Sequence, residues 1–298
     1  MTNNSRAQKV GLATVTSEDF LPGTLVMLSS FLMHNKWFRG DVIIIHQGLS
    51  DASMKLLTDC FPNVTMHSIS EPLERRLEEL ADAVPWIGSR KLQFGSLEIL
   101  SLADQDRVIF CDSDLLFLDS IEELMTLQDS LICCGDGAYY RDNFRSRDDF
   151  SEMAKGSANC GHLRETFNSG FMILGKALLS GANHEAALSM IKTDRWQSDA
   201  TGHTDQILFN LLFAEQQKLV SPIYNFALSH REIIQQSKGV SMQDAKVLHF
   251  TGPGKPWLLM EILHRADADP AIIGAFQMWQ KGFVDFVTHR KLRMVRNR

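Results

Sequence analysis

Two aspartates, Asp112 and Asp114, stand one residue apart at the end of the apolar run Arg107-Val-Ile-Phe-Cys-Asp112-Ser113-Asp114-Leu-Leu-Phe-Leu. Charges set among apolar neighbours are costly to bury unless something pairs with them. In an extended chain, positions i and i+2 project to the same side, so both carboxylates can face one cation. A divalent metal there would offset their mutual repulsion. The plainer reading is a turn at a strand end, with both side chains capping backbone groups. The triplet alone does not choose between the two.

Three later segments add weight to the metal reading. In Val247-Leu-His249-Phe-Thr-Gly252-Pro-Gly254-Lys255-Pro256-Trp257, a histidine sits in an apolar strand ahead of a glycine-rich loop. Gly252 and Gly254 permit a tight turn, Lys255 offers a positive charge to phosphate, and Pro256 stiffens the exit. A strand histidine by itself is usually a satisfied core residue; followed six residues later by a lysine after glycines, it reads as a ligand. In Phe167-Asn168-Ser169-Gly170, the glycine would admit a ligand close to the backbone, and Asn168 supplies donor and acceptor groups suited to sugar hydroxyls. The alternative there is a simple turn before a strand. In His203-Thr204-Asp205-Gln206, the acid and amide open an amphipathic helix, where an acid otherwise only complements the helix dipole.

These residues need elements to aim them. Apolar, β-branched runs at 9–15, 41–46, 64–68 and 107–111 read as strands. Between them, helices are expected near 21–34, with Pro22 in the first turn, near 51–61 after Ser50 as N-cap, and near 90–102. Further strands are expected at 131–134, 167–174 and 246–250, and helices at 176–190 and 204–217. This alternation predicts the α/β class, with a mainly parallel sheet flanked by helices, since parallel strands need crossover connections. Ligands of such sheets bind beyond the C-terminal ends of the strands. Residues 136–162, with their mixed charges, read as a surface excursion or lid.

Composition narrows the partners. The chain has 298 residues, 44% of them hydrophobic, enough for a large core, and no run of 18 apolar residues that would span a membrane. No apolar signal stretch follows the polar first residues, and the five cysteines have no CxxC spacing; both features point to a soluble protein with reduced thiols in the cytoplasm. A formal net charge of −6 argues against nucleic acid as partner. Five basic residues, Arg290, Lys291, Arg293, Arg296 and Arg298, crowd the last nine with no acid among them. Just before them, Phe276, Trp279, Phe283 and Phe286 fall on one helical face. Either this helix packs on its own domain, or it lies on the inner face of a membrane with its basic end on anionic lipid.

In order and spacing, the segments from about residue 10 to 257 resemble glycosyltransferase family 8, the retaining enzymes that include glycogenin and the bacterial lipooligosaccharide galactosyltransferases. The resemblance implies a GT-A fold, with one Rossmann-like nucleotide-sugar-binding domain over 1–260; residues 261–298, which it does not cover, read from their own pattern as a helical basic tail. The resemblance implies Mn²⁺, or Mg²⁺ as a substitute, held by Asp112, Asp114 and His249. It also implies a UDP-sugar donor, with Lys255 and Gly252 at the diphosphate and Thr14, Thr16 and Phe20 at the uridine. Lys91 and Ser113 would help hold the donor, and Asp136, Asn168 and Ser169 would bind around its sugar. Asp205 and Gln206 are the candidates for the catalytic role. Two carboxylates and an imidazole form a mixed oxygen and nitrogen set that suits Mn²⁺ better than oxygen-preferring Mg²⁺.

The implied reaction moves a hexose, glucose or galactose, to a hydroxyl of a glycan, glycolipid or other acceptor with retention of configuration. Same-face attack, with Asp205 orienting the sugar and acceptor, is the expected route, because no activated nucleophile is visible. Two other classes compete: a catalytically silent sugar-nucleotide binder, and a HAD-type phosphohydrolase. The latter also places an acid pair after a strand, but it usually has Thr where Leu116 stands and leaves His249 and Lys255 without a role.

Overall fold

A computed structural model describes residues 8–141, 165–197, 203–213, 216–252, 254–258, 260 and 269–296, with the side chains of the last helix described to residue 290. Beyond Arg141, the lid expected at 136–162 lies outside the described residues, as does Cys160. Cys60, Cys111, Cys133 and Cys134 are buried.

The strands β1 (Val10–Thr16), β2 (Val42–His46), β3 (Val64–Ser68) and β4 (Arg107–Cys111) fall where the apolar runs predict. They join β6 (Leu131–Gly135), β7 (Phe167–Gly175) and β8 (Gln217–Val220) in a seven-stranded sheet of order β3-β2-β1-β4-β7-β6-β8. All neighbours pair in parallel except β7, which runs antiparallel to both β4 and β6. A second, three-stranded sheet has the order β5-β10-β9, from β5 (Leu115–Phe117), β9 (Phe226–Ala227) and β10 (Val247–His249). The acid triplet therefore bridges two sheets: β4 ends just before Asp112, and β5 begins just after Asp114.

Helix α1 (Leu21–His34) has Pro22 in its first turn, and α2 (Asp51–Cys60) is capped by the Ser50 hydroxyl, which accepts from the Ser53 backbone N–H at 3.2 Å. Helix α3 (Glu71–Ala83) follows, burying Leu73, Leu77 and Leu80. The helix expected at 90–102 is instead a run of 3₁₀ turns that starts earlier, Pro85–Ser101. Gly88 and Gly95 weaken α-helix there, and a Cβ on Gly95 would come within 3.3 Å of Val15 Cγ1, so the segment rides tightly over β1. After the short α4 (Gly137–Tyr140) come α5 (Gly181–Ser189), α6 (Thr193–Gln197), α7 (Asp205–Phe213) and α8 (Arg231–Lys238). The helix expected over 204–217 thus stops at Phe213, because Gln217–Val220 pairs with β6 as an edge strand.

Helix α9 (Pro270–Arg296) packs back on the body. Phe286 stacks on Phe61 at 6.0 Å between centroids, Trp279 lies 5.8 Å from Trp257, and a Cβ on Gly282 would fall 3.2 Å from Val26 Cγ1 of α1. Phe283 stays 40% exposed, so the aromatic stripe is largely, and not wholly, spent on the protein itself.

One buried acid ties the 3₁₀ segment to α3. Glu98 is 1% exposed and accepts from the Ser70 backbone N–H at 2.8 Å and its hydroxyl at 2.6 Å. His184 and His67 lie 3.4 and 3.6 Å away. Burial opposes ionisation, but the neighbouring His184 and His67 imidazoles and the two Ser70 hydrogen bonds together outweigh it and hold the carboxyl well below the ordinary 4.5. A depressed acid stabilises the fold above its unfolded value and loses that contribution as pH falls below it. Glu98→Ala is therefore expected to lower unfolding free energy by about 3 kcal/mol at neutral pH. Urea titration should show the gap to the parent narrowing below pH 4.5; equal stability at pH 7 would refute the role.

Candidate active site

The crossing of the two sheets brings the acid pair and the distant histidine together. Antiparallel pairing of β4 with β7 sets Cys111 opposite Phe171, and the Asp112 N–H donates to Gly170 O at 2.8 Å. Antiparallel pairing of β5 with β10 sets His249 opposite Leu115, one residue from Asp114. His249 Nε2 lies 3.2 Å from Asp114 Oδ1 and 3.7 Å from Asp112 Oδ2. One ligand atom from each of the three residues falls within 4.8 Å of the others.

The two oxygens of Asp114 face different partners. Oδ1 faces His249, while Oδ2 takes an ion pair from Lys255 Nζ, which also donates to Phe250 O at 2.7 Å. The loop that returns Lys255 to this point needs its glycines: Gly252 has φ +83° and Gly254 φ +80°, a region that side chains strain to enter. Burial alone would raise Asp114, but Lys255 and His249 hold its carboxyl below the usual range. Asp112 is pushed upward, first by burial and then by the charge of Asp114. It nonetheless keeps 41% of its side chain open to solvent, the side from which a ligand can arrive.

This donor set fits a divalent cation on chemical grounds. Two carboxylates and one imidazole converge, and their charge exceeds what Lys255 alone offsets. Gly170 keeps the space open: a Cβ there would fall 2.3 Å from His249 Cε1 and 2.7 Å from Asp112 Oδ2. Gly170→Ala is accordingly expected to weaken Mn²⁺ binding by about tenfold or more, at the scale of losing ligand positioning. Manganese titration by electron paramagnetic resonance checks it; unchanged affinity would remove the glycine from the site.

A second group of predicted residues forms a hydrogen-bonded wall beside the first. Asp136 accepts from the Tyr139 backbone N–H at 2.9 Å, the Thr166 hydroxyl at 2.7 Å and Gln206 Nε2 at 3.3 Å. Gln206 Oε1 accepts from Asn168 Nδ2 at 3.0 Å. Asp205 Oδ2 accepts from Ser96 at 2.7 Å and Ser169 at 3.3 Å, its Oδ1 from Thr204 at 2.9 Å, and burial raises its carboxyl.

The N-terminal candidates lie on the other flank. The Ser113 hydroxyl donates to Val15 O at 2.5 Å, and the Thr24 hydroxyl lies 2.6 Å from Thr16 Oγ1 and 2.9 Å from Ser113 Oγ. Thr14, Thr16 and Ser113 are all buried; the hydroxyls of Thr16 and Ser113 serve this inner network, while that of Thr14 lies 3.5 Å from Val15 O. Phe20 is exposed and meets Trp257 edge-on at 5.5 Å, and Trp257 Nε1 donates to Asp19 O at 2.9 Å. The segment that opens α1 and the loop at Trp257 thereby close on each other across Gly23, where a Cβ would come 2.4 Å from the Trp257 ring. Lys91, on the 3₁₀ segment, makes no ion pair or hydrogen bond with any described residue, so the structure does not join it to the acid cluster.

Thr24 and Ser96 take part in these networks, as does Asn225, whose Nδ2 donates to Asn168 Oδ1 at 2.9 Å, and none of the three stands out in the sequence. Asn225 lies in Tyr-Asn-Phe-Ala-Leu; a polar amide in an apolar stretch was the available signal.

A mainly parallel sheet with one reversed strand, an acid pair at the end of β4 and a histidine returned by a second small sheet define a GT-A-type fold of the kind nucleotide-sugar enzymes use. The model of the family described as "Glycosyl transferase family 8" matches residues 12–261. The chain belongs to that family. Among curated relatives it is 24% identical, over 196 residues, to a lipopolysaccharide 1,3-galactosyltransferase of Salmonella typhimurium, an alignment that covers 61% of this chain and 53% of that protein. The chain thus spans about half the length of the curated relative it matches. Among solved structures, the galactosyltransferase LgtC, crystallised with donor and acceptor sugar analogues, superposes with a TM-score of 0.69 at 16% identity over 92% of this chain and 95% of its own. The glycosyltransferase GlyE of Streptococcus pneumoniae gives 0.55 at 13% identity over 95% of this chain and 64% of its own. At these identities the structures speak for the fold alone.

Proposed function

We propose that the chain transfers a hexose from a UDP-sugar to a sugar hydroxyl, with Mn²⁺ held by Asp112, Asp114 and His249. The convergence of these three side chains, distant in sequence, on one point beside Lys255 carries the reading. Departure of the diphosphate leaves negative charge on its oxygens as positive charge grows on the sugar. The bound cation would supply Lewis-acid stabilisation of that leaving group. Lys255, anchored by Asp114 and Phe250 O, adds a fixed positive charge at the same end. Phe20, at the exposed mouth of α1, offers an aromatic face to the base, while Asp136, Asn168 and Gln206 present a wall of acceptors and donors to sugar hydroxyls. Asp205, beside that wall, orients the reacting sugar for same-face attack.

The Salmonella relative acts on lipopolysaccharide, which makes UDP-galactose and a glycolipid acceptor the first donor and acceptor to try. A panel of UDP-sugars with Mn²⁺, scored by UDP release, tests the proposal without knowledge of the acceptor. Hydrolysis of at least one UDP-sugar, abolished by EDTA, is the expected outcome; no binding and no hydrolysis of any of them would refute it. No observation favours a silent binder, and a phosphohydrolase reading leaves the Lys255 and His249 convergence without a purpose.

A glycolipid acceptor also gives the basic tail a reason. Among the described residues no helix is long and apolar enough to cross a membrane. A surface attachment through residues 271–298 is the alternative, with each cation near anionic lipid contributing roughly 1 kcal/mol. Deleting the helix would uncover the packing of Trp279 and Phe286, so charge reversal is the cleaner test. Arg290→Glu with Lys291→Glu and Arg293→Glu should abolish co-sedimentation with phosphatidylglycerol vesicles while leaving UDP release unchanged. Undiminished vesicle binding by that variant would rule the tail out.

A further inference from the structure

His249 meets the acid pair through Nε2, so only the tautomer with its proton on Nδ1 offers a lone pair to a cation between them. Nδ1 lies 2.8 Å from Asn225 Oδ1, and Asn225 is 1% exposed. Which end of that amide faces the ring is decided further along. Asn225 Nδ2 donates to Asn168 Oδ1 at 2.9 Å. The same Asn168 oxygen accepts from the Gly170 backbone N–H at 3.0 Å, and a backbone N–H can only donate. The far end gives the same answer. Asp136, a carboxylate already accepting from Tyr139 and Thr166, takes Gln206 Nε2, which leaves Gln206 Oε1 to accept from Asn168 Nδ2. Two independent anchors, a backbone N–H and a carboxylate, thus fix the direction of every link.

We propose that Asn225 is a positioning residue that holds His249 in its Nδ1–H tautomer, through an oriented chain of three amides, Asn225, Asn168 and Gln206. The proposal rests on the metal-site reading for its purpose, though not for its geometry. It gives Asn168 and Gln206 a second role beside facing the donor sugar. Their amides connect the wall at Asp136 to the ring at the metal site, so a change at one end that flips an amide propagates to the other. The competing arrangement is a His249 with its proton on Nε2, donating to Asp114 Oδ1 as a plain structural hydrogen bond with no lone pair for a cation.

Two-bond ¹H–¹⁵N correlation spectra of histidine-labelled, metal-free protein, taken at a pH where the ring carries one proton, distinguish these states directly. The parent should show Nδ1–H. Asn225→Ala, which removes the acceptor, should show a mixture or Nε2–H, and its Mn²⁺ affinity should fall by about 10- to 100-fold. Asn225→Asp keeps an oxygen facing the ring and should retain Nδ1–H, with affinity within a few-fold of the parent; it also serves if Asn225→Ala does not fold. A parent ring protonated on Nε2, an Asn225→Ala ring unchanged from the parent, or an Asn225→Asp ring on Nε2 would each overturn the proposal. A parent with Nδ1–H that binds no Mn²⁺ would support the tautomer assignment and sink the metal reading instead.

Discussion

Asp114→Ala is expected to slow Mn²⁺-dependent release of UDP from the best donor by about 10³-fold, the upper end of what one preorganised charge-stabilising group supplies. The size follows from the double duty of this carboxylate. Its Oδ1 faces His249 and the proposed cation, and its Oδ2 anchors Lys255. Removing it therefore takes away one ligand and unmoors the cation beside the leaving diphosphate in a single step. Lys255 would also lose its carboxylate partner in a largely buried place, and breaking such pairs typically costs about 3–5 kcal/mol of stability. Activity has for that reason to be compared at a temperature where the variant is folded by circular dichroism. Asp112→Ala removes a ligand but leaves Lys255 anchored, so it should keep its stability while losing Mn²⁺ affinity. A folded Asp114→Ala protein with turnover within tenfold of the parent would end the proposed mechanism.

The contrast between these two acids shows what the sequence could and could not disclose. Their i, i+2 spacing after an apolar run was enough to place them on one side of an extended chain, and β1, β2 and β4 were legible because each is short, largely apolar and buried. The family pattern then joined His249 to them across more than a hundred residues. The division of labour within Asp114 was not legible, because it depends on β10 pairing antiparallel with a three-residue strand, β5, too short to register as a period. The amide chain through Asn225 was hidden for a similar reason: β9 is two residues long, and its neighbouring asparagine acquires a partner only through tertiary contact. The misread ends have local causes. The 3₁₀ run over Pro85–Ser101 carries the apolar content of a helix but holds glycines that weaken the α form, and α7 stops where a polar-looking stretch is claimed by the sheet edge.

Asp205→Asn should lower kcat by about 10²-fold, the scale on which small misplacements of reacting groups act, and change the donor KM far less. In the parent, one carboxylate oxygen accepts from Ser96 and Ser169 and the other from Thr204. An asparagine is nearly the same size, but its NH₂ cannot accept, so one side of this arrangement must turn away and the start of α7 must shift. Gln206 begins the same turn and is bonded to Asn168 and Asp136, so the shift carries into the wall that faces the sugar. The same geometry argues against a covalent route. An attacking carboxylate needs an oxygen free to reach the anomeric carbon, and this one is buried, with Oδ2 already accepting from both Ser96 and Ser169 and Oδ1 facing the Thr204 hydroxyl. Incubation with donor and no acceptor, followed by peptide mass spectrometry, should find the Asp205 peptide unmodified. A hexosyl adduct on that peptide would replace same-face attack with double displacement, and a full-rate Asp205→Asn enzyme would remove the residue from the reaction altogether.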